Sequence, residues 1–108
     1  MARVAEALAR NGVNIRAIAG ERNFVRVVTD DINTTRRALD EERLKYDLEE
    51  VVVVSLIDRP GELAKVARKL TDAEININSV YILGKKDGKT DVALVVDKIS
   101  EAVKVLGI

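Results

Sequence analysis

Residues 63–80, LAKVARKLTDAEININSV, decide the fold because residues 1–18, MARVAEALARNGVNIRAI, repeat them without a gap. Six of the eighteen aligned positions are identical, and others are matched in kind, such as Val13 with Ile75. The alignment resumes where residues 28–39 match residues 95–106, with five fewer residues between the two blocks in the first copy. The chain is therefore an internal duplication, and each copy is one structural unit.

Each copy carries the periodicities of a helix, two strands and a second helix. Apolar residues at helical spacing predict the helices, and β-branched segments around turn residues predict the strands. The second copy gives helix 61–71, strands 75–83 and 90–96, and helix 100–106, with Asp87-Gly88 as a strong hairpin signal. The first copy gives a helix from its start, strands 13–19 and 24–29 around a tight turn, and helix 33–42.

The segment between the copies predicts two further strands. Its first half, LKYDLEE at 44–50, resembles the last strand of the first copy. Its second half, VVVVSLI at 51–57, resembles the first strand of the second copy, and a continuous apolar run predicts a central strand that is buried on both faces. Superposition of the copies gives βαββαβ, an α+β arrangement of two tandem ferredoxin-like units at residues 1–50 and 51–108.

Neither predicted unit is complete. The first lacks its opening strand, which normally lies between the third and fourth strands, and the second lacks its closing strand. We expect that either a segment preceding Met1 is missing from the chain or another protomer supplies the strand. Because open sheet edges favour association, a homodimer or higher homo-oligomer is predicted.

Composition argues against several functions. Eighteen basic residues balance eighteen acidic ones and only three residues are aromatic, so nucleic acid is not an expected partner. No apolar run approaches a membrane span, and charged residues interrupt the N-terminus where a signal peptide would be apolar, which predicts a cytoplasmic protein without a membrane partner. The chain has no cysteine or histidine and no nucleotide-binding or nucleophile motif. We therefore expect no enzymatic activity, no cofactor and no metal site.

The stretch Ile57-Asp58-Arg59-Pro60-Gly61-Glu62-Leu63-Ala64, followed by a helix and by Ile75-Asn76-Ile77, resembles the signature of the ACT domain. The first copy has the closer match to the family's re-entry pattern, Gly12-Val13-Asn14-Ile15, whereas Glu74 replaces the glycine in the second. The resemblance covers almost the whole chain as two tandem domains. It implies a regulatory protein that binds an amino acid or a similar small effector, modulates a metabolic enzyme and does no chemistry. A ligand-free subunit that acts through protein–protein contacts is the alternative.

The D-R-P-G loop supports a binding site on physical grounds. Pro60 suits the first position of a helix, and Gly61 lets the backbone approach a ligand. Free N–H groups at the helix start suit a carboxylate, and Asp58 or Glu62 could face an ammonium group. A strand-to-helix turn that binds nothing is the competing interpretation. The predicted ligand-binding residues are Asp58, Arg59, Pro60, Gly61, Glu62, Leu63, Asn76, Ile77, Asn14 and Ile15.

Other polar residues have two interpretations each. Asn76 and its counterpart Asn14 could bind a ligand, or could close the helix-to-strand connection by bonding their own backbone. The Asp30-Asp31 pair could suggest a metal, but its position before a helix favours capping. Three lysines around Asp87-Gly88 favour a solvated hairpin tip over a phosphate site.

Overall fold

The computed structural model describes all 108 residues and contains four helices and five strands. The elements in chain order are α1 (Ala2–Arg10), β1 (Ile15–Gly20), β2 (Val25–Thr29), α2 (Ile32–Glu41), β3 (Val52–Ile57), α3 (Glu62–Asp72), β4 (Ile77–Lys86), β5 (Lys89–Val96) and α4 (Ile99–Leu106). The chain divides into two compact units, unit 1 at Met1–Leu48 and unit 2 at Glu49–Ile108. Each unit combines helices with an antiparallel sheet, which confirms the α+β, ferredoxin-like fold class.

Unit 2 contains a three-stranded antiparallel sheet in the order β3-β5-β4. The hairpin between β4 and β5 turns at Asp87 and Gly88, whose φ angles are 53° and 74°. Two successive positive φ angles are typical of the type I′ turn that matches the twist of a hairpin. The Asp-Gly hairpin prediction is therefore confirmed.

The prediction that residues 51–57 form a central strand buried on both faces is wrong. In unit 2, β5 is central and β3 lies at an edge. Burial alternates along β3, since Val52 and Val54 are 4% and 6% exposed while Val53 is 45% exposed. The helices cover one face only, so every second valine remains accessible, and no fourth strand forms in unit 2 to flank β3.

The core of unit 2 lies between the helices and one face of the sheet. Leu70 and Leu94 are fully buried and Ile75 is almost so, and Val66 completes the buried face of α3. Leu63, in the first turn of α3, lies outside this cluster and is 43% exposed, although its helical spacing predicts the same stripe. The buried face of α3 therefore begins one turn after the helix does.

Unit 1 contains the two-stranded sheet β1-β2, with α1 and α2 packed around Leu8, Val13 and Ala38. Val4 is only partly buried beside this cluster. The strand predicted at 44–50 does not form. Residues 44–50 have neither helical nor strand structure. In the ferredoxin-like order the fourth strand pairs with the first, and unit 1 contains no counterpart of β3 to pair with it.

Asp31 caps α2 and so confirms the capping interpretation of the Asp30-Asp31 pair. Its carboxylate accepts a hydrogen bond of 3.0 Å from the backbone N–H of Thr34 and one of 2.6 Å from the Thr34 hydroxyl. These bonds lower the pKa of Asp31. No three Asp, Glu, His or Cys side chains come together as a metal-ligand group.

None of the four helices is long and apolar enough to cross a membrane.

The substitution Leu70→Ala should reduce the free energy of unfolding by about 2–5 kcal/mol, because it removes buried methyl groups and leaves a cavity. Leu63→Ala on the same helix is the matched control and should cost much less, since Leu63 is exposed. Urea unfolding of the two variants measures the difference. Equal losses would contradict the assigned helix face.

Candidate functional site

The D-R-P-G loop joins β3 to α3 and lies beside the β4–β5 hairpin tip. Ile57 is opposite Lys89 in the sheet, and the next backbone N–H, that of Asp58, donates a hydrogen bond of 2.8 Å to the carbonyl of Gly88. The ammonium of Lys85 lies 3.6 Å from the Asp58 carboxylate. The sequence pattern favours a solvated tip for Lys85, and only the strand register reveals that it meets the loop.

Gly61 is the N-cap of α3 and adopts a left-handed conformation with φ 89° and ψ −11°. This conformation strains most residues with a Cβ, asparagine least among them, so the turn itself favours glycine. A Cβ built there would meet no atom within 4 Å, so this side of the loop is open. Pro60 precedes the cap, and the prediction that it occupies the first helical position is wrong because Glu62 begins the helix.

The first turn of α3 leaves two backbone donors without acceptors. The N–H of Lys65 donates to the carbonyl of Gly61 at 3.0 Å, and that of Glu62 makes a long bond of 3.5 Å to Arg59. The N–H groups of Leu63 and Ala64 have no hydrogen-bond acceptor, and the glycine cap has no side chain to provide one. Together with the positive end of the helix dipole, these donors suit a carboxylate.

The two candidate carboxylates of the loop differ in their surroundings. Glu62 accepts hydrogen bonds of 2.6 Å from Arg59 and 3.3 Å from Lys65, and these bonds lower its pKa. Asp58 has a single ion-pair partner, Lys85, and its side chain is 46% exposed. Asp58 is therefore the better placed of the two to accept a ligand ammonium group, since Glu62 already has two cationic partners.

Asn76 and Ile77 lie at the other end of α3, where the chain enters β4. Eleven residues of helix separate this end from the loop, which corresponds to about 16 Å. The backbone of Asn76 is bonded to Asp97, by N–H to carboxylate at 3.0 Å and by carbonyl to N–H at 3.3 Å. Within unit 2, one amino acid could not contact both ends of the helix.

The Asn76 end borders an open depression of about 540 Å³, which is lined by Thr71, Glu74, Ile75, Asn76 and Ile77. The Asn76 side chain is exposed and makes no hydrogen bond, so it does not bond its own backbone as one interpretation predicts. Glu74 has a φ of 61°. Its counterpart in unit 1, Gly12, has a φ of 69°, which explains why glycine suits this position.

Asn14 and Ile15 occupy the equivalent re-entry in unit 1. Asn14 is exposed and directly precedes β1, which begins at the half-buried Ile15. Unit 1 has no counterpart of the loop at 58–61, so Asn14 and Ile15 are not accompanied by a D-R-P-G loop in their own unit.

Comparisons with known proteins agree with this architecture. The ACT domain family matches residues 51–104. Aspartokinases of Corynebacterium glutamicum and Corynebacterium efficiens are each 50% identical to this chain over 44 residues, which are 39% of this chain and 10% of the aspartokinase. The matched segment therefore spans only a tenth of these curated relatives.

Two solved structures resemble most of the chain. A protein of Bacteroides thetaiotaomicron superposes with a TM-score of 0.87 at 25% identity, over 98% of this chain and 76% of that one. A structure of aspartokinase alpha and beta subunits superposes with a TM-score of 0.57 at 20% identity, over 96% of this chain and 74% of that one. The second likeness concerns the fold alone.

The ion pairs of Glu62 should make stability pH-dependent. Because its pKa is lower in the folded protein, its contribution is complete above the value of 4.5 usual for glutamate and is lost as the pH falls through the lowered pKa. Glu62→Gln should therefore lower the melting temperature at neutral pH but not at about pH 2. Glu101→Gln, in the first turn of α4, is the control for loss of a helix-dipole interaction alone. An equal pH dependence in both variants would contradict the role of Arg59 and Lys65.

Proposed function

Because this chain belongs to the ACT domain family, we propose that it is a regulatory protein that binds an amino acid or a similar small effector. The effector would carry both a carboxylate and an ammonium group. Its binding would modulate a metabolic enzyme or the assembly of the protein itself. The curated relatives are aspartokinases, and an enzyme of amino-acid metabolism is accordingly the kind of partner that we propose.

The start of α3 is the observation that carries this proposal. Two backbone N–H groups, those of Leu63 and Ala64, lack acceptors beside the open face of Gly61. A ligand carboxylate that accepts them would form charge-assisted hydrogen bonds, each contributing about 1.5–3 kcal/mol. The exposed Asp58 carboxylate on the same loop provides a partner for the ammonium group.

This loop alone offers few contacts to a small ligand. Its polar groups remain accessible to water, which weakens every ionic interaction with a bound effector. We propose that a second copy of the chain closes over the ligand, with an exposed asparagine such as Asn76 or Asn14 as a further donor. Binding would then favour assembly, and assembly would strengthen binding, as linkage requires.

Calorimetric titration with each of the twenty amino acids should identify at least one that binds. Asp58→Asn should weaken the binding of that amino acid by about 10-fold or more, because a charged partner of the ammonium is lost. Gly61→Asn should also weaken it, since asparagine tolerates the left-handed backbone but places a side chain in the open face. Gly12→Asn is the matched control at a similar φ in unit 1 and should leave the affinity unchanged.

If no amino acid binds or raises the melting temperature at millimolar concentration, the alternative function is favoured, a ligand-free regulatory subunit that acts through protein contacts. If an amino acid binds the Asp58→Asn and Gly61→Asn variants as tightly as it binds the parent protein, the effector site lies elsewhere. The two results are distinguishable because the first concerns the function and the second concerns its location.

We also expect the protein to self-associate at micromolar concentration. The β3 strand has one neighbour, β5, so its other edge presents unpaired backbone groups beside the exposed Val53. Sedimentation velocity should detect a dimer or larger species in place of the 11.9 kDa monomer. Val53→Lys, which adds a charge to the exposed face beside this edge, should shift the equilibrium towards monomer. A parent protein that sediments only as a monomer would contradict this expectation.

A further inference from the structure

We propose that Lys85 competes with the effector for Asp58. Its ammonium group lies on the Asp58 carboxylate, where the ammonium group of a bound amino acid belongs. An amino acid displaces Lys85 when it binds, whereas a ligand with a carboxylate but no ammonium group leaves Lys85 in place. Lys85 therefore lowers the affinity for amino acids and couples occupancy of the site to the β4–β5 hairpin. The inference rests on the proposed function, since Asp58 is the partner proposed there for the ammonium group.

The strand register places Lys85 on the face of the sheet that the helices cover. Lys85 lies opposite Thr90 of β5, and Thr90 lies opposite Leu56 of β3. Residues that are opposite in neighbouring strands point to the same face of a sheet. Leu56 packs against the core of unit 2, so Lys85 shares the face that bears α3. The next residue, Lys86, points to the opposite face.

Asp58 is fixed by its backbone, and its side chain is free to change partners. The N–H group of Asp58 donates a hydrogen bond of 2.8 Å to the carbonyl of Gly88, which ties the loop to the hairpin tip. The ammonium group of Lys85 lies 3.6 Å from the Asp58 carboxylate, and the two side chains are 63% and 46% exposed. The ion pair can therefore open while the backbone of the loop stays in place.

The two competing ammonium groups have different advantages. Lys85 belongs to the chain, so its high local concentration favours the ion pair. The pair is exposed, however, and such pairs contribute little because water screens both charges. An amino acid adds the hydrogen bonds of its carboxylate with the N–H groups of Leu63 and Ala64, which have no acceptor in the chain. These additional bonds allow the amino acid to replace the lysine.

The Thr90 hydroxyl also favours displacement of the lysine. Because β5 lies between β4 and β3, the Lys85 side chain crosses β5 to reach Asp58. Thr90 is the β5 residue opposite Lys85, and its hydroxyl is buried without a hydrogen-bond partner in the chain. A buried hydroxyl without a partner disfavours the state that contains it. Movement of the lysine away from Asp58 opens this side of Thr90 to water and relieves that cost.

Calorimetric titration of each of the twenty amino acids into the parent protein, Lys85→Met and Lys86→Met tests the competition. Methionine keeps an unbranched side chain and removes the charge. Both variants lose one positive charge from the hairpin, but only Lys85→Met frees Asp58. An amino acid that binds the parent should bind Lys85→Met about 2- to 5-fold more tightly, as the strength of an exposed ion pair implies. Its affinity for Lys86→Met should be unchanged.

A second probe separates competition for Asp58 from a general effect of charge. The probe is the hydroxy acid in which a hydroxyl group replaces the ammonium group of that amino acid. It has no group that competes with Lys85, and it carries a net negative charge that a lysine attracts. The hydroxy acid should therefore bind Lys85→Met no more tightly than it binds the parent protein.

Three results would overturn the competition and leave the proposed function intact. The first is equal affinity of the parent and Lys85→Met for the amino acid. The second is an equal gain in affinity in Lys86→Met, and the third is an equal gain for the hydroxy acid, since the charge of the hairpin would then be the cause. If none of the twenty amino acids binds the parent or either variant, the proposed function itself fails and the competition fails with it.

Discussion

The pairing of β3 with β5 is the interaction on which the rest of unit 2 depends. It brings Val52 and Val54 into the core, where they pack with Leu70 and Leu94. The same register places Ile57 opposite Lys89, so Asp58 leaves the sheet beside the Gly88 carbonyl. Core and loop are thus positioned by one ladder, and a shift of one residue would turn the buried valines outward.

The charges of the loop partly offset one another at the start of α3. Glu62 would repel a carboxylate from the first turn if it were alone, but Arg59 and Lys65 hold hydrogen bonds to it. The glycine cap leaves the backbone N–H groups of Leu63 and Ala64 without an acceptor, whereas the side chain of Asp31 accepts a hydrogen bond at the start of α2. The two helix starts differ because one cap residue carries an acceptor and the other does not.

The two units contain similar sequence repeats in sheets of different size. Both contain a helix, two strands and a second helix, and the sheet of unit 2 also contains β3 as a third strand. Residues 44–50 illustrate the consequence, since a segment with an alternating pattern stays irregular where no neighbouring strand is available. Strand formation depends on a partner ladder, and helix formation does not.

The sequence alone determined the features that depend on nearby residues. The four helices follow from apolar spacing, the Asp87-Gly88 turn from its backbone preferences and the Asp31 cap from its position. The same reasoning located the loop at Asp58–Gly61 as a candidate site. Only the tertiary structure decided that β3 is an edge strand, that Lys85 meets Asp58, and that Asn76 lies at the opposite end of α3 from the loop. These features depend on which strands pair and in what register, and because such contacts join residues far apart in the chain, no local pattern encodes them.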